Sequence, residues 1–213
     1  MELVNPRIET YLKSLIEEPD PVRAAMEKLG AERDFPIIGP MVGNLCMVLA
    51  LSVKARRVFE LGSGFGYSTL WFARAVGPEG SVVHTDGSAE NTSLAKDFLA
   101  RAGLGGRVRF ETGDGRQILR HALERGDGIP VDVVFNDIDK EQYPDVLPLA
   151  RKALRPGGLL ISDNMIWSGR VTEPDPDAAT RGILELTRSL RAATDFTTTL
   201  IPLRDGVTVS VKR

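Results

Sequence analysis

From residue 57 onward, short apolar runs alternate with longer amphipathic segments. The runs at 131–135 and 159–161 are apolar enough to be strands that are buried on both faces. The segments between such runs space their apolar residues as one face of a helix does. Predicted strands cover 57–61, 81–86, 107–112, 131–136 and 157–162, and predicted helices cover 67–76, 89–102, 115–124, 143–153 and 178–193. This alternation predicts an α/β fold whose parallel sheet is covered by helices on both faces.

The end of the chain follows a different pattern. Two β-rich runs, 197–203 and 207–211, are separated by a turn that contains Asp205 and Gly206. An Asp-Gly pair between such runs indicates a hairpin. We therefore expect the last two strands to be antiparallel to each other at one edge of a sheet of about seven strands.

The first part of the chain is predicted to be helical. Helices are expected at 7–17 and 21–32, because the prolines at 19 and 21 interrupt one helix and can open the next. A linker at 35–40 precedes an apolar helix at about 41–53. The length of 213 residues is at the upper end for a single domain.

A glycine-rich loop follows the first predicted strand. The sequence E-x-G-x-G-x-G spans 60–66 and leads directly into a predicted helix. Glycines lack Cβ atoms where a ligand must approach the backbone, and the start of a helix offers free N–H groups with a partial positive charge. The loop therefore predicts a ligand site, with a glycine-rich turn that binds nothing as the alternative.

The residues around the loop indicate the ligand. A dinucleotide site needs G-x-G-x-x-G, and Tyr67 stands where the third glycine is required. Glu60 suits an ammonium group better than a pyrophosphate. Asp86 ends the second strand, 20 residues after Gly66, where an acid can accept from ribose hydroxyls. A ligand with an amino acid at one end and a ribose at the other fits this pattern, and S-adenosylmethionine is such a ligand.

A second polar cluster follows the fourth and fifth strands. Asp137, Asp163 and Asn164 fall at carboxyl ends of strands, where open α/β sheets bind ligands. Oxygen ligands without a nearby His or Cys favour a hard cation, Mg²⁺ before Ca²⁺ or Mn²⁺. The alternative is an acidic solvated turn beside an ordinary Asp-Asn turn.

Composition excludes several classes of function. The net charge is −2 and no basic block is present, so nucleic acid is not an expected partner. The single cysteine, Cys46, rules out an internal disulfide and suits a reducing compartment. No apolar run reaches membrane-spanning length and residues 1–6 lack a signal pattern, so we expect a cytoplasmic protein that does not bind membranes.

Several motifs together resemble the class I S-adenosylmethionine-dependent O-methyltransferases of the catechol and caffeoyl-CoA type. The resemblance covers roughly 36–213. The matching segments are ELGSGFGYS at 60–68, Asp86, VRFETGDG at 108–115, FNDIDKEQY at 135–143, GGLLISDNMIWSGRV at 157–171 and LIPLRDGVTVSVKR at 200–213. The resemblance implies one Rossmann-like domain over 1–213, with a helical cap at 1–53 and a cofactor-binding core at 54–213. It also implies a homodimer, to which apolar residues at 11–16 could contribute.

The resemblance also implies roles for individual residues. Lys140 is the implied general base, with a surface lysine paired to Glu141 or Asp137 as the alternative. Asp137, Asp163 and Asn164 are the implied ligands of a divalent metal. The residues implied to contact S-adenosylmethionine are Glu60, Gly62, Ser63, Gly64, Ser68, Asp86, Gly115 and Asp139.

The sequence departs from the family pattern near the implied metal site and elsewhere. Asn136 often has an apolar counterpart and Ile138 a small one, and Ser168 replaces an acceptor-contacting Asn. Thr187 stands where an Asn is common and Arg204 where a Gly is common, with no functional account of either. Trp167 is expected either in the core or as a wall of the acceptor or adenine pocket.

The expected activity is metal-dependent methylation of a vicinal dihydroxy aromatic acceptor. Two alternatives remain at this point. One is methylation of a non-catechol hydroxyl on a secondary metabolite, and the other is a non-catalytic S-adenosylmethionine-binding protein. The presence of Lys140 beside the implied metal ligands argues against the second, because a binding module needs no base.

Overall fold

The computed structural model describes residues 5–16 and 20–213. Its centre is a seven-stranded sheet with the strand order β3-β2-β1-β4-β5-β7-β6. The strands are Arg57–Leu61 (β1), Ser81–Asp86 (β2), Val108–Thr112 (β3), Val131–Asn136 (β4), Leu154–Ser162 (β5), Phe196–Ile201 (β6) and Val207–Lys212 (β7). The predicted α/β class, strand count and arrangement are confirmed.

Helices precede the sheet and alternate with its strands. They are Pro6–Ser14 (α1), Pro21–Glu32 (α2), Gly39–Ser52 (α3), Tyr67–Ala75 (α4), Ala89–Arg101 (α5), Gly115–Arg125 (α6), Val146–Ala153 (α7) and Ala178–Ala192 (α8). Asp20, Ser88, Asp114 and Asp177 cap the N-termini of four of these helices with their side chains. These caps explain why the helices begin where they do.

Strand direction follows the predicted scheme. The strands β1 to β5 pair in parallel, so their carboxyl ends share one edge of the sheet. The last strand, β7, lies between β5 and β6 and is antiparallel to both. The hairpin turn between β6 and β7 therefore reaches the same edge as the carboxyl end of β5.

Several predicted boundaries differ from the structure. Strand β5 begins at Leu154, three residues before its predicted start, and β6 ends at Ile201, two residues before its predicted end. The helix predicted from residue 143 begins at Val146, because residues 140–145 form a 3₁₀ segment that contains Pro144. The apolar helix predicted from residue 41 begins at Gly39, with Pro40 in its first turn. Helix α1 ends at Ser14, and residue 17, its predicted end, lies outside the described residues.

Two apolar layers enclose the sheet. One joins α3 and α4 to the sheet face that carries Val133, Phe135 and Ile161, and it includes the aromatic residues Trp71 and Phe72 of α4. The other joins α7 and α8 to the opposite face. Burial on both faces fixes the strand ends rigidly, and these ends carry the predicted site residues. Within the described residues, no helix is long and apolar enough to cross a membrane.

Candidate active site

One large cavity, of about 1390 Å³, lies along the carboxyl ends of the parallel strands. It brings the two predicted clusters into a single space. All predicted site residues except Glu60 line it: Gly62, Ser63, Gly64, Ser68, Asp86, Gly115, Asp137, Asp139, Lys140, Asp163 and Asn164.

The glycine-rich loop packs directly against the segment that follows β4. Gly62 has a φ of +76°, and a Cβ atom there would lie 2.5 Å from the carbonyl oxygen of Asp137. Any other residue would combine a disfavoured backbone conformation with a collision against main chain. Gly62 therefore sets the spacing between the predicted cofactor loop and the predicted metal site.

Glu60 lies beneath the loop and is completely buried. The hydroxyls of Thr69 and Ser63 donate to its Oε2, whereas Oε1 has no hydrogen-bond partner among the described residues. Burial raises the pKa of Glu60 to about 7, and the hydroxyls of Ser68, Thr69 and Ser63 partly offset this effect. Glu60 thus supports the loop from below, and it does not form part of the cavity wall.

Asp86 is tied to the glycine-rich loop. Its Oδ2 accepts from the backbone N–H of Gly64 at 3.0 Å, and its Oδ1 accepts from Ser88 N at 2.9 Å and from Asn91 Nδ2 at 3.0 Å. These bonds orient the carboxylate at the cavity wall. A ribose hydroxyl can add to the remaining lone pairs of these oxygens.

Other predicted cofactor residues line the same cavity. Ser63 joins the loop to β2, since its N–H donates to Thr85 O at 2.8 Å and its hydroxyl accepts from Thr85 N at 3.1 Å. Gly115 opens α6, and a Cβ atom there would lie 2.4 Å from Thr85 Oγ1. Asp139 also lines the cavity; it is exposed and stands at the N-cap position of the 3₁₀ segment, without a capping hydrogen bond from its side chain.

The two predicted metal carboxylates are next to each other. Asp163 is buried, and its Oδ1 has no hydrogen-bond partner among the described residues. Burial, reinforced by the negative charge of Asp137, raises the pKa of Asp163 to about 7. Burial also raises the pKa of Asp137, against the opposing effect of Lys140. Two carboxylates in this environment are stabilised by an added cation.

The donor set fits a hard cation that keeps other ligands. In the described part of the chain, no group of three or more His, Cys, Asp or Glu side chains is arranged to hold a metal. Asp137 and Asp163 contribute carboxylates and Asn164 an amide. Mg²⁺ is commonly held by one or two carboxylates together with water or substrate oxygens, so this set fits it.

The hairpin turn between β6 and β7 completes this side of the cavity. Asp205 Oδ2 accepts from Asn164 Nδ2 at 3.3 Å, and Asp205 Oδ1 accepts from the N–H of Ser168. Asn164, Trp167 and Ser168 all have positive φ angles. Non-glycine residues in this conformation carry strain that surrounding contacts must hold, and such strain concentrates at functional sites.

Lys140 is buried within the cavity wall and is not a surface lysine. Its Nζ donates to Asp137 Oδ1 at 2.8 Å and to the carbonyl of Ile138 at 3.0 Å. The same Nζ lies 5.1 Å from the ring centre of Tyr143 and 5.7 Å from that of Trp167. The alternative interpretation, a surface lysine paired with Glu141 or Asp137, is therefore correct in pairing Lys140 with Asp137. It is wrong in placing Lys140 on the surface.

The departures from the family pattern have different structural roles. Ile138, Trp167 and Ser168 line the cavity, so Trp167 is a wall residue. Asn136 is fully buried and lies outside the cavity lining. Thr187 lies on α8, where its hydroxyl donates to the carbonyl of Ile183 at 2.9 Å.

Several residues at the site were not predicted from the sequence. Tyr143 is fully buried and its hydroxyl donates to the carbonyl of Asp163 at 2.9 Å. The Nε2 atom of His84 lies 3.0 Å from the carbonyl oxygen of Gly64. The sequence predicts Asp205 only as part of the hairpin turn and not as a site residue. For Tyr143 the sequence does give an indication, because it lies only three residues after the proposed base.

The sequence of this chain is similar to those of known O-methyltransferases. The model of the O-methyltransferase family matches residues 24–213. A catechol O-methyltransferase from Niastella koreensis is 32% identical over 200 residues, which cover 92% of this chain and 90% of that protein. Caffeoyl-CoA O-methyltransferase 1 from Eucalyptus globulus is 29% identical over 202 residues, covering 90% of this chain and 81% of the relative.

A solved structure extends the comparison to the fold. The O-methyltransferase TomG from Streptomyces achromogenes, in complex with S-adenosylmethionine, superposes with a TM-score of 0.90 and 32% identity over 97% of this chain and 96% of TomG. The family match over 24–213 includes all seven strands and all the predicted site residues. The chain belongs to the O-methyltransferase family.

Proposed function

We propose that this enzyme transfers the methyl group of S-adenosylmethionine to one hydroxyl of a vicinal dihydroxy aromatic acceptor, with a divalent metal at the acceptor. One observation carries the proposal. The glycine-rich loop and the carboxylates of Asp137 and Asp163 open into the same cavity, and Gly62 holds the loop in contact with the backbone of Asp137. A donor on the loop and an acceptor at the carboxylates would therefore be neighbours.

On the donor side, this chain supplies a matched set of polar groups. Asp86 would accept from the ribose hydroxyls, and the start of α4 would offer N–H groups to the amino acid carboxylate. Glu60, enclosed below the loop, would favour the ammonium end through its charge. When bound, S-adenosylmethionine supplies a methyl group that is activated because it is bonded to a positively charged sulfonium sulfur.

On the acceptor side, Asp137, Asp163 and Asn164 would hold the metal. A divalent cation there would stabilise the phenolate form of the acceptor and orient its oxygen. Trp167 and Ile138 would bound the acceptor ring, because both line the cavity beside these ligands. Positioning of this kind is the main source of rate enhancement for a reaction that disperses charge.

Lys140 would take the proton from the reacting hydroxyl. Its Nζ contacts Asp137, so the proposed base lies next to a proposed metal ligand. The ring centres of Tyr143 and Trp167 lie 5.1 and 5.7 Å from the Nζ of Lys140, and these rings help to hold the ammonium group in position. A general base in this role contributes a factor of about 10²–10⁴ to the rate.

The test is a methylation assay on a matched acceptor panel. Vicinal dihydroxy aromatics should accept a methyl group, and the corresponding monohydroxy compounds should be poor acceptors. A preference for monohydroxy acceptors, with no requirement for metal, would favour methylation of a non-catechol hydroxyl instead.

We also infer that the protein forms a homodimer. Helix α1 contributes no buried residue; Ile8 and Tyr11 are exposed on it, and Leu15, directly after it, is exposed too. Val48 and Leu51 are also exposed, on α3, which contacts α1. Exposed apolar residues on adjoining helices are typical of a homodimer interface.

A further inference from the structure

Arg204 lies at the turn between β6 and β7 and lines the same cavity as Asp137, Asp163 and Trp167. Its Nη1 donates to the carbonyl of Ile37 at 2.8 Å, across 167 positions of sequence. This bond fixes one end of the guanidinium and leaves its other N–H groups available. The family pattern commonly has Gly at this position, so the proposed reaction does not itself require the arginine.

Arg204 has no acidic partner of its own. Within residues 5–16 and 20–213, no carboxylate lies within ion-pair distance of its guanidinium. Three nearby acids are bonded to other donors: Asp205 accepts from Asn164 and Ser168, Asp137 accepts from Lys140, and Glu9 is paired with Lys13. Asp163 interacts with Arg204 only through its charge, beyond ion-pair distance. Among the described residues that line the cavity, Lys140 and Arg204 are the two cations, and only Lys140 is paired.

The backbone pays a conformational cost to place this side chain. Arg204 has a φ of +50°, which lies in the left-handed region. Glycine adopts this conformation readily, whereas a residue with a Cβ atom such as arginine is strained in it. The guanidinium also rests against Gly39, where a Cβ atom would lie 2.5 Å from Nη1. Two separate positions of the chain thus accommodate a cation that forms no ion pair with any carboxylate of the described residues and meets Glu9, Asp137 and Asp163 only at longer range.

We propose that Arg204 is a specificity-determining residue that selects acceptors carrying an anionic group, a carboxylate or a phosphate, away from the reacting hydroxyls. The proposal rests on the proposed function, since it names the class of acceptor for that site. The planar fork of N–H donors matches the paired oxygens of either anion. The cavity wall then sorts acceptors by charge, while the metal and Lys140 act on the hydroxyls.

The experiment compares acceptors of the same shape and different charge. One pair is 3,4-dihydroxybenzoate and 3,4-dihydroxybenzamide, and a longer pair is 3,4-dihydroxycinnamate and its amide. A third pair, the caffeoyl thioesters of 4′-phosphopantetheine and of pantetheine, differs only in a terminal phosphate. The ratio of kcat/KM within each pair is measured for the parent, Arg204→Gln and Arg204→Lys.

In at least one pair, the parent should prefer the anionic member by about tenfold or more, as expected for a charge-assisted hydrogen bond. Arg204→Gln should abolish that preference, and Arg204→Lys, which keeps the charge and loses the fork, should retain part of it. The pair that responds identifies the anion as a carboxylate or a phosphate. The neutral member of each pair reports any general damage to the site.

Two results would overturn the inference. One is a parent enzyme without preference in any pair. The other is an equal loss for both members of every pair in Arg204→Gln, which would reduce Arg204 to an anchor for Ile37. Calorimetric binding of the same pairs to the protein with S-adenosylhomocysteine gives the same comparison without turnover. Binding preference without methyl transfer would contradict the proposed function and support the role of Arg204.

Discussion

The Nζ of Lys140 lies 2.8 Å from Oδ1 of Asp137, and both residues belong to the segment that leaves β4. The proposed base and a proposed metal ligand are therefore in direct contact. Because the two side chains touch, replacing either one can disturb the other, and a loss of activity alone does not show whether the base or the metal ligand was lost. Acceptors of graded acidity can separate them.

Replacing Lys140 with methionine should lower turnover by about 10²–10⁴-fold, the range typical of a lost general base. The loss should shrink for acceptors such as nitrocatechols, because their hydroxyls are already ionised at neutral pH. The measurement is kcat across catechols of graded hydroxyl acidity. Lys152→Met, an exposed lysine on α7, is the matched control. A constant loss across the series would remove Lys140 from the role of base.

Replacing Asp86 with alanine should weaken binding of S-adenosylhomocysteine by about 1–3 kcal/mol, because ribose hydroxyls and Gly64 N both lose an acceptor. Asp86→Asn should be milder, since one oxygen remains. Calorimetry measures the dissociation constants, with the exposed Asp97→Ala on α5 as control. Equal affinity in Asp86→Ala and the parent would contradict the assignment of Asp86 to the ribose.

Burial of Glu60 should make the ligand-free protein less stable as the pH rises. Its pKa is about 7 in the folded protein against an ordinary value of 4.5, so the folded state holds the proton more tightly. The free energy of unfolding should fall between these values, by on the order of 3 kcal/mol from this residue. Glu60→Gln removes the titrating group. The difference in unfolding free energy between parent and variant, measured with urea, should therefore change across this pH window and stay constant above it. A pH-independent difference would show that Glu60 keeps its ordinary pKa.

Replacing Tyr11 with glutamate should break the proposed homodimer. Tyr11 is 61% exposed on α1, and a charge there would be buried without a partner in the interface. Light scattering at micromolar concentration should give the mass of a dimer for the parent and of a monomer for the variant. Gln117→Glu, on the exposed face of α6, should remain dimeric. A monomeric parent would refute the interface.

Much of the fold could be predicted because its signals are local. Apolar periodicity located each strand within a few residues, and the Asp-Gly turn indicated the hairpin. Asp137 and Asp163 could be placed together because each follows a strand, and parallel strands end at one edge of the sheet. The glycine-rich loop could be found because its alternating glycines lie within one short stretch of sequence directly after a predicted strand.

What could not be predicted depends on contacts between distant parts of the chain. Asp205 contacts Asn164 only because β7 lies between β5 and β6, which brings the hairpin turn over the loop after β5. The bond from Arg204 to Ile37 joins the two ends of the chain. The Nζ of Lys140, which follows β4, lies 5.7 Å from the ring centre of Trp167, which follows β5. Turn chemistry predicts that a chain reverses, and it does not predict which surface the turn then meets.

The most direct test of the proposed reaction follows a labelled methyl group. S-adenosylmethionine labelled with ¹³C in its methyl group is incubated with a catechol, and the product is examined by NMR for a methyl group on one ring oxygen. We expect the label on oxygen with Mg²⁺ present, none in excess EDTA, and recovery when Mg²⁺ is restored. Asp163→Asn should not recover, although it should still bind S-adenosylhomocysteine. Full transfer of the label in EDTA would contradict the metal site, and no transfer to any vicinal dihydroxy acceptor with Mg²⁺ would contradict the proposed function.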